Sequence, residues 1–127
     1  MTVNVVAVTV GADVSPADPS NVHAEGNVVA VPSGAMWPDT SNNPIVPMVV
    51  HGTLGDGLNG ASPGQCIIEL VASDSFAAGV LTWDIIINIR GLPTVNVPGV
   101  VVNFANGASQ NVWTILQAAG WVPFSQP

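Results

Sequence analysis

Apolar and polar residues alternate along most of this chain with the period of two that a half-buried strand requires. The clearest run is Leu81 to Arg90, where Leu81, Trp83, Ile85, Ile87 and Ile89 fall on one face. Thr82, Asp84, Ile86, Asn88 and Arg90 fall on the other. This pattern predicts one strand with a core face and a face that is wet or covered by a partner. Val3 to Val10 predicts a first strand ending at Gly11, and Asn27 to Val31 a second, closed by Pro32-Ser33-Gly34. Ile45 to Leu54 predicts a third strand. Pro44 and Pro47 confine its beginning to a sheet edge, because proline cannot donate to a ladder. Gln65 to Val71 is strand-like, and Val95 to Phe104 resumes the alternation after a Gly-Leu-Pro break, with Val100, Val102 and Phe104 on one side.

The period changes near the end of the chain. Val112, Ile115, Leu116 and Ala119 follow helical spacing, Ser109 is a candidate N-cap and Gly120 a candidate residue just past the C-cap. One short helix is predicted at about 109–119. Gly and Asn supply a turn at Gly55-Asp56-Gly57-Leu58-Asn59-Gly60, and the proline-containing stretch from Ala12 to Gly26 predicts a loop or arm. The fold class predicted is mainly β: a small antiparallel β-sandwich or barrel with one short C-terminal helix and an N-terminal strand and arm. At 127 residues the chain is expected to form a single domain, residues 1–25 being the N-terminal strand and arm and 26–127 the sandwich. There is no internal repeat.

Charge changes this picture most. Eight acidic residues stand against one basic residue, Arg90, for a net charge of −7, and lysine is absent. One guanidinium cannot supply the several phosphate contacts of nucleic-acid binding, nor a polybasic patch for anionic lipid. Neither a nucleic-acid partner nor membrane insertion is expected, and no apolar run reaches the 18 residues of a spanning helix. Charged residues make up 7% of the chain, against about 25% in a typical soluble domain. Surfaces so poor in charge are expected to be covered by other subunits. The N-terminus has no basic region ahead of its apolar run and reads as a mature strand rather than a targeting signal.

Motifs for catalysis or metal binding are matched only as strings. Gly60-Ala61-Ser62-Pro63-Gly64 fits the G-x-S-x-G nucleophile elbow, but that elbow joins a strand to a helix, and here a strand-like segment follows. Pro63 lacks the N–H that the oxyanion hole needs there, and His23 and His51 both precede the serine instead of following it. Neither histidine, nor Cys66, shows zinc-ligand spacing. Cys66 reads as a small buried residue, and as the single cysteine it has no intramolecular disulfide partner. Asp56-Gly57-Leu58-Asn59-Gly60 lacks the alternation and closing glutamate of a calcium loop, although a structural calcium assembled with Asp74 or Asp84 stays open. Asp74 and Asp84 are also the best pair for glycoside hydrolysis, with a turn residue and a solvated strand position as their plainer readings. No catalytic, cofactor or metal residue is assigned.

Candidate interface residues are Trp37, Arg90, Trp121 and Phe124. Arg90 closes the strongest strand and is expected to meet a carboxylate on a neighbouring strand or another subunit. Asp84 lies too far along the same strand. Trp83 and Trp113 read as core or helix-packing residues. Trp37 and Trp121 lie in predicted loops, where aromatic rings anchor interfaces or stack on sugars, and Trp121, Pro123 and Phe124 form an aromatic tail.

Several of these segments carry a family resemblance. Gly26-Asn27-Val28-Val29-Ala30-Val31-Pro32-Ser33 opens it, followed by Ile68-Glu69-Leu70-Val71-Ala72-Ser73-Asp74. Leu81-Thr82-Trp83-Asp84-Ile85-Ile86-Ile87-Asn88-Ile89-Arg90-Gly91 and Val101-Val102-Asn103-Phe104 complete it. In this order they resemble the small β modules of actinobacteriophage minor tail proteins and tail fibres, over roughly residues 26 to 124. The resemblance implies a non-enzymatic structural component of a tailed-phage virion, in the tail tip or fibre-attachment region. Its partners would be copies of itself and other virion proteins. Val3 to Gly26 has no counterpart in such modules and is expected to be an arm that pairs with a neighbouring subunit. The alternatives are a capsid decoration protein and a carbohydrate-binding module that meets a host-envelope glycan through Trp37 or Trp121.

Overall fold

The computed structural model describes residues 4–11, 25–33, 37–38, 44–45, 48–54, 64–75 and 81–122. Their strands are β1 (Val5–Gly11), β2 (Gly26–Pro32), β3 (Trp37–Pro38), β4 (Pro44–Ile45), β5 (Val50–Thr53), β6 (Gln65–Val71), β7 (Trp83–Ile89), β8 (Val95–Val100) and β9 (Ser109–Asn111). Helix α1 (Val112–Ala118) follows β9 directly. The fold is mainly β, as the alternation predicts. A four-stranded sheet in the order β5-β2-β7-β8 and a three-stranded sheet in the order β6-β1-β9 form a sandwich, with β3 and β4 paired apart from both. The sheets are not closed into a barrel.

One cluster holds the inward side chains of both sheets. Val6, Val8 and Val10 of β1 are fully buried, facing the core with Cys66, Ile68 and Leu70 of β6. The opposing layer supplies Val28 and Ala30 of β2, then Trp83, Ile85, Ile87 and Ile89 of β7. The alternation read from Leu81 to Arg90 is therefore the true one: every odd position is buried and every even one is half-buried or exposed. A fully buried indole must also satisfy its N–H. Trp83 Nε1 does so by donating to the Val71 carbonyl at 3.0 Å, tying β7 to the end of β6 in the other sheet.

Not every pairing is antiparallel. β9 lies parallel to β1, in register Ala7 with Ser109 and Thr9 with Asn111. The strand at the chain start, expected to begin an arm, is instead the central strand of its sheet, between β6 and β9. Residues 12–24 lie outside the described residues. The predicted third strand divides into β4 and β5, with Met48 and Val49 exposed before β5. β5 does occupy a sheet edge. Gly52 lets it pass close to β6, since a Cβ there would stand 2.8 Å from Ile68 Cγ2 and 2.9 Å from Cys66 Sγ.

Two more expectations need correction. The strand predicted from Val95 to Phe104 ends at Val100 and shifts phase on the way. Trp83 pairs with Val100 and Ile85 with Val97, so β8 carries one extra residue at Pro98-Gly99. Gly99 takes φ of +68°, which suits a glycine bulge, and the buried positions move from Val95 and Val97 to Val100. Val102 is buried, but Phe104 starts a 3-10 turn, Phe104–Asn106, and is exposed. The helix also starts later than predicted. Ser109 is a strand residue, and the N-cap is Asn111, whose side chain accepts the Trp113 N–H at 2.9 Å. Val112, Ile115 and Leu116 are buried, while Ala119 is exposed. Gly120 takes φ of +99° just past the C-cap, as expected, with its N–H on Gln117 O and Trp121 N–H on Leu116 O.

Candidate functional site: a neutral groove and the residues around it

The two carboxylates that the sequence offers for chemistry, Asp74 and Asp84, are engaged by main-chain amides. Asp74 Oδ1 accepts the Phe104 N–H and Oδ2 the Ala105 N–H, both at 2.9 Å, so this carboxylate caps the 3-10 turn. Asp84 Oδ1 accepts the Gly99 N–H at 3.0 Å and fastens the bulge of β8 to β7. Ser73 and Ser75, buried on either side of Asp74, continue the pattern. Ser73 Oγ accepts the Val102 N–H at 3.0 Å, and Ser75 Oγ accepts the Asn4 N–H at 2.9 Å. Three consecutive side chains thus latch the start of β1 and the segment after β8 to the end of β6. A run of short polar side chains is the sequence signal for such a latch, because their oxygens reach nearby main-chain donors.

The remaining motif residues do not assemble. Gly64, the last position of the G-x-S-x-G string, takes φ of +77° and leads into strand β6 rather than a helix. His51 is exposed on β5, opposite Val29 of β2. Cys66 is buried. His23 and Asp56 to Gly60 lie outside the described residues. Among the described residues no three of His, Cys, Asp and Glu gather as a metal centre would need. No helix of the described residues is long and apolar enough to cross a membrane.

The four predicted interface residues fare differently. Arg90 stands in the turn after β7, and its partner is on the neighbouring strand's approach, as expected: Nη1 lies 3.4 Å from Glu25 Oε2. Both side chains are largely exposed, so the pair is solvent-screened and neutralises the rim of the sheet more than it stabilises the fold. Trp121 is half-buried. Its ring lies 5.5 Å from that of Trp113 and packs on the core, so part of its surface is already used within the chain. Trp113 in turn donates Nε1–H to the Gly11 carbonyl at 2.7 Å. Trp37 lies in β3, paired with Ile45, and Phe124 lies outside the described residues.

A concave feature that the sequence reading does not single out lies beside the helix. Val101, Asn106, Ser109, Gln110, Thr114 and Ala118 are among the residues around a depression of about 250 Å³. A second one, of about 180 Å³, shares Val101, Asn106 and Ala118 with it and adds Gly99, Asn103 and Ala119. Together they make a groove between α1 and the segment from Gly99 to Asn106, with β9 along one wall. Gln110 shapes that wall by donating Nε2–H to the carbonyls of Asn103 and Gly107, each at 2.7 Å. Every lining side chain is uncharged. The signal available in the sequence was the crowding of Asn103, Asn106, Gln110 and Asn111 into nine residues with no charge among them.

The outer face of the four-stranded sheet is also poor in charge. Asn88 donates to Asn27 across β7 and β2 at 3.2 Å, and Thr94 Oγ1 donates to Asn88 Oδ1 at 2.8 Å. Next to this row, Val29 pairs with Ile86, and Ile86 with Asn96. Asp84 brings a carboxylate to this face, and one of its oxygens is bound to Gly99. No protein family, curated protein or solved structure matches this chain.

Proposed function

We propose that this chain is a non-enzymatic structural component of a tailed-phage virion, a minor tail, tail-tip or fibre-attachment protein that works by packing against other subunits. The observation that carries the reading is the charge-poor outer face of the four-stranded sheet. Free β-domains usually block outward faces and edges with lysine and other charges. Here the corresponding positions hold Asn27, Val29, Ile86, Asn88 and Asn96 beside His51 and a single carboxylate, Asp84, among the described residues, and the rim charges Arg90 and Glu25 pair with each other. Such a face costs less to desolvate than a highly charged one when a neighbour covers it, because amides can exchange water for partner hydrogen bonds and the Asp84 carboxylate already accepts the Gly99 N–H. The order of sequence segments from Gly26 to Phe104 that resembles tail modules points to the same reading. So does the use of Asp74 and Asp84 as backbone acceptors.

Two measurements test it. Size-exclusion chromatography with light scattering is expected to show self-association or co-elution with another virion protein, and a clean dilute monomer that captures none counts against it. A cryo-electron microscopy map of the particle is expected to place the domain on the tail. Density on the shell would replace this reading with capsid decoration.

A further inference from the structure

Among the asparagines of the described residues, Asn106 alone precedes a glycine. An asparagine side-chain carbonyl is open to attack by the main-chain nitrogen of the next residue, and a Cβ on that residue hinders the approach. Asn27, Asn88 and Asn111 precede β-branched residues, and each is held by a side-chain hydrogen bond. Asn106 is exposed at the end of the Phe104–Asn106 turn. A Cβ built on Gly107 would meet the Ser109 carbonyl oxygen at 3.5 Å and no other non-neighbouring atom within 4 Å, so the space beside the reacting atoms is open.

The turn restrains this reaction. The Gly107 N–H donates to the Phe104 carbonyl at 2.9 Å and the Asn106 N–H to that of Asn103 at 3.1 Å, so the nitrogen is released only when this exposed turn opens locally. Two side chains set how often it opens. Asp74 holds the Phe104 and Ala105 amides, both at 2.9 Å. Gln110 ties the Asn103 carbonyl before the turn to the Gly107 carbonyl after it, each at 2.7 Å.

We propose that Asn106 is a site of spontaneous modification, at which the side chain closes on the Gly107 nitrogen to a succinimide and reopens as a carboxylate, at a rate gated by Asp74 and Gln110. In the first step the N–Cγ bond forms, the Cγ–Nδ2 bond breaks, and the Gly107 proton leaves with the ammonia. Water then opens the ring. Cleavage of the N–Cγ bond gives an aspartyl residue, and cleavage between the nitrogen and the Asn106 main-chain carbonyl carbon gives an isoaspartyl one, whose main chain is longer by a methylene. Asn106 lines both depressions of the groove, whose lining side chains are uncharged, so either product turns a neutral surface into an anionic one. The new charge stands in the turn that the Asp74 carboxylate already caps, and the longer isoaspartyl chain parts the carbonyls that Gln110 ties. Both effects open the turn further.

Ageing the folded full chain in mildly alkaline buffer, followed by trypsin and peptide mass spectrometry, tests the proposal. Arg90 is the single trypsin site, so one cut separates residues 91–127, with Asn96, Asn103, Asn106 and Asn111, from Asn59-Gly60 in the other fragment. Exchange of NH2 for OH is expected at Asn106 at least about tenfold faster than at the other three, the ratio set by a barrier about 1.4 kcal/mol lower. Asp74→Asn leaves one side-chain acceptor for two amides and should raise the Asn106 rate about threefold or more, as the loss of one hydrogen bond allows. Gln110→Ala leaves that cap intact and should act in the same direction, so it serves if the Asp74 variant fails to fold. Conversion at Asn106 no faster than at Asn96, Asn103 and Asn111 overturns the site. An Asn106 rate unchanged in both variants, or a rise shared by all four asparagines in both, overturns the gating.

Discussion

Ser73→Ala isolates the latch that joins the two ends of the sandwich. The Ser73 side chain is buried, and its Oγ is the acceptor for the N–H of Val102, which is fully buried. Alanine removes the acceptor without adding volume, and water cannot reach the N–H in its place. Leaving a buried amide donor unsatisfied costs about 1–3 kcal/mol. The neighbouring Ser73 N–H to Val102 C=O bond, at 2.6 Å, involves only main chain and survives the change. For a chain of this length each kcal/mol moves the melting temperature by about 4 °C, so Tm should fall by roughly 4–12 °C. Urea unfolding followed by tryptophan fluorescence, with Trp83 as a buried reporter, should show a lower midpoint at unchanged slope. Ser75→Ala provides the internal comparison. Its Oγ accepts from Asn4, which is only half-buried, so water can replace the serine and the loss should be the smaller of the two. A loss below about 0.3 kcal/mol for Ser73→Ala, or a larger loss for Ser75→Ala, refutes the reasoning from buried-donor satisfaction.

Other substitutions probe the remaining supports. Ile87→Ala empties a fully buried site and should cost about 2–5 kcal/mol, while Ile86→Ala on the outer face should cost under about 1 kcal/mol; equal losses in urea titrations contradict the facing of β7. Gly99→Ala meets no atom within 4 Å, so its whole penalty is the positive φ, about 1–2 kcal/mol by thermal melts, and a stabilised variant disproves the bulge geometry. Gly52→Ala brings a methyl against Ile68 and Cys66 and should destabilise by about 1–3 kcal/mol, read by the same titration. Arg90→Gln breaks an exposed pair and should leave Tm within about 2 °C, so a marked change in self-association with Tm intact would assign Arg90 to an interface.

The latch and the bulge show where sequence reasoning stopped. Asp74 and Asp84 were visible as unusual residues in a charge-poor chain, and a turn was the plain reading of Asp74. What each carboxylate binds lies 30 and 15 residues further along. Long-range partners of this kind leave no periodic trace. Arg90 was legible to a greater degree, because its distance from Asp84 along one strand forced the partner onto another element, and Glu25 is that partner. The groove was illegible, since it depends on α1 and the Gly99–Asn106 segment facing each other.

By itself the sequence determined the class of the fold, the buried face of β7, the burial of Cys66, the glycine that ends α1 and the scarcity of charge. These are local properties, set by side-chain period, backbone sterics and composition, and each is complete within a few consecutive residues. Only the tertiary structure decided that β1 sits at the centre of a sheet, that β9 runs parallel to it, and that Ser73, Asp74 and Ser75 close the sandwich. Hydrogen bonds between distant segments fix those features, and alternating valines and isoleucines allow many pairings among which the burial of all strands at once selects one.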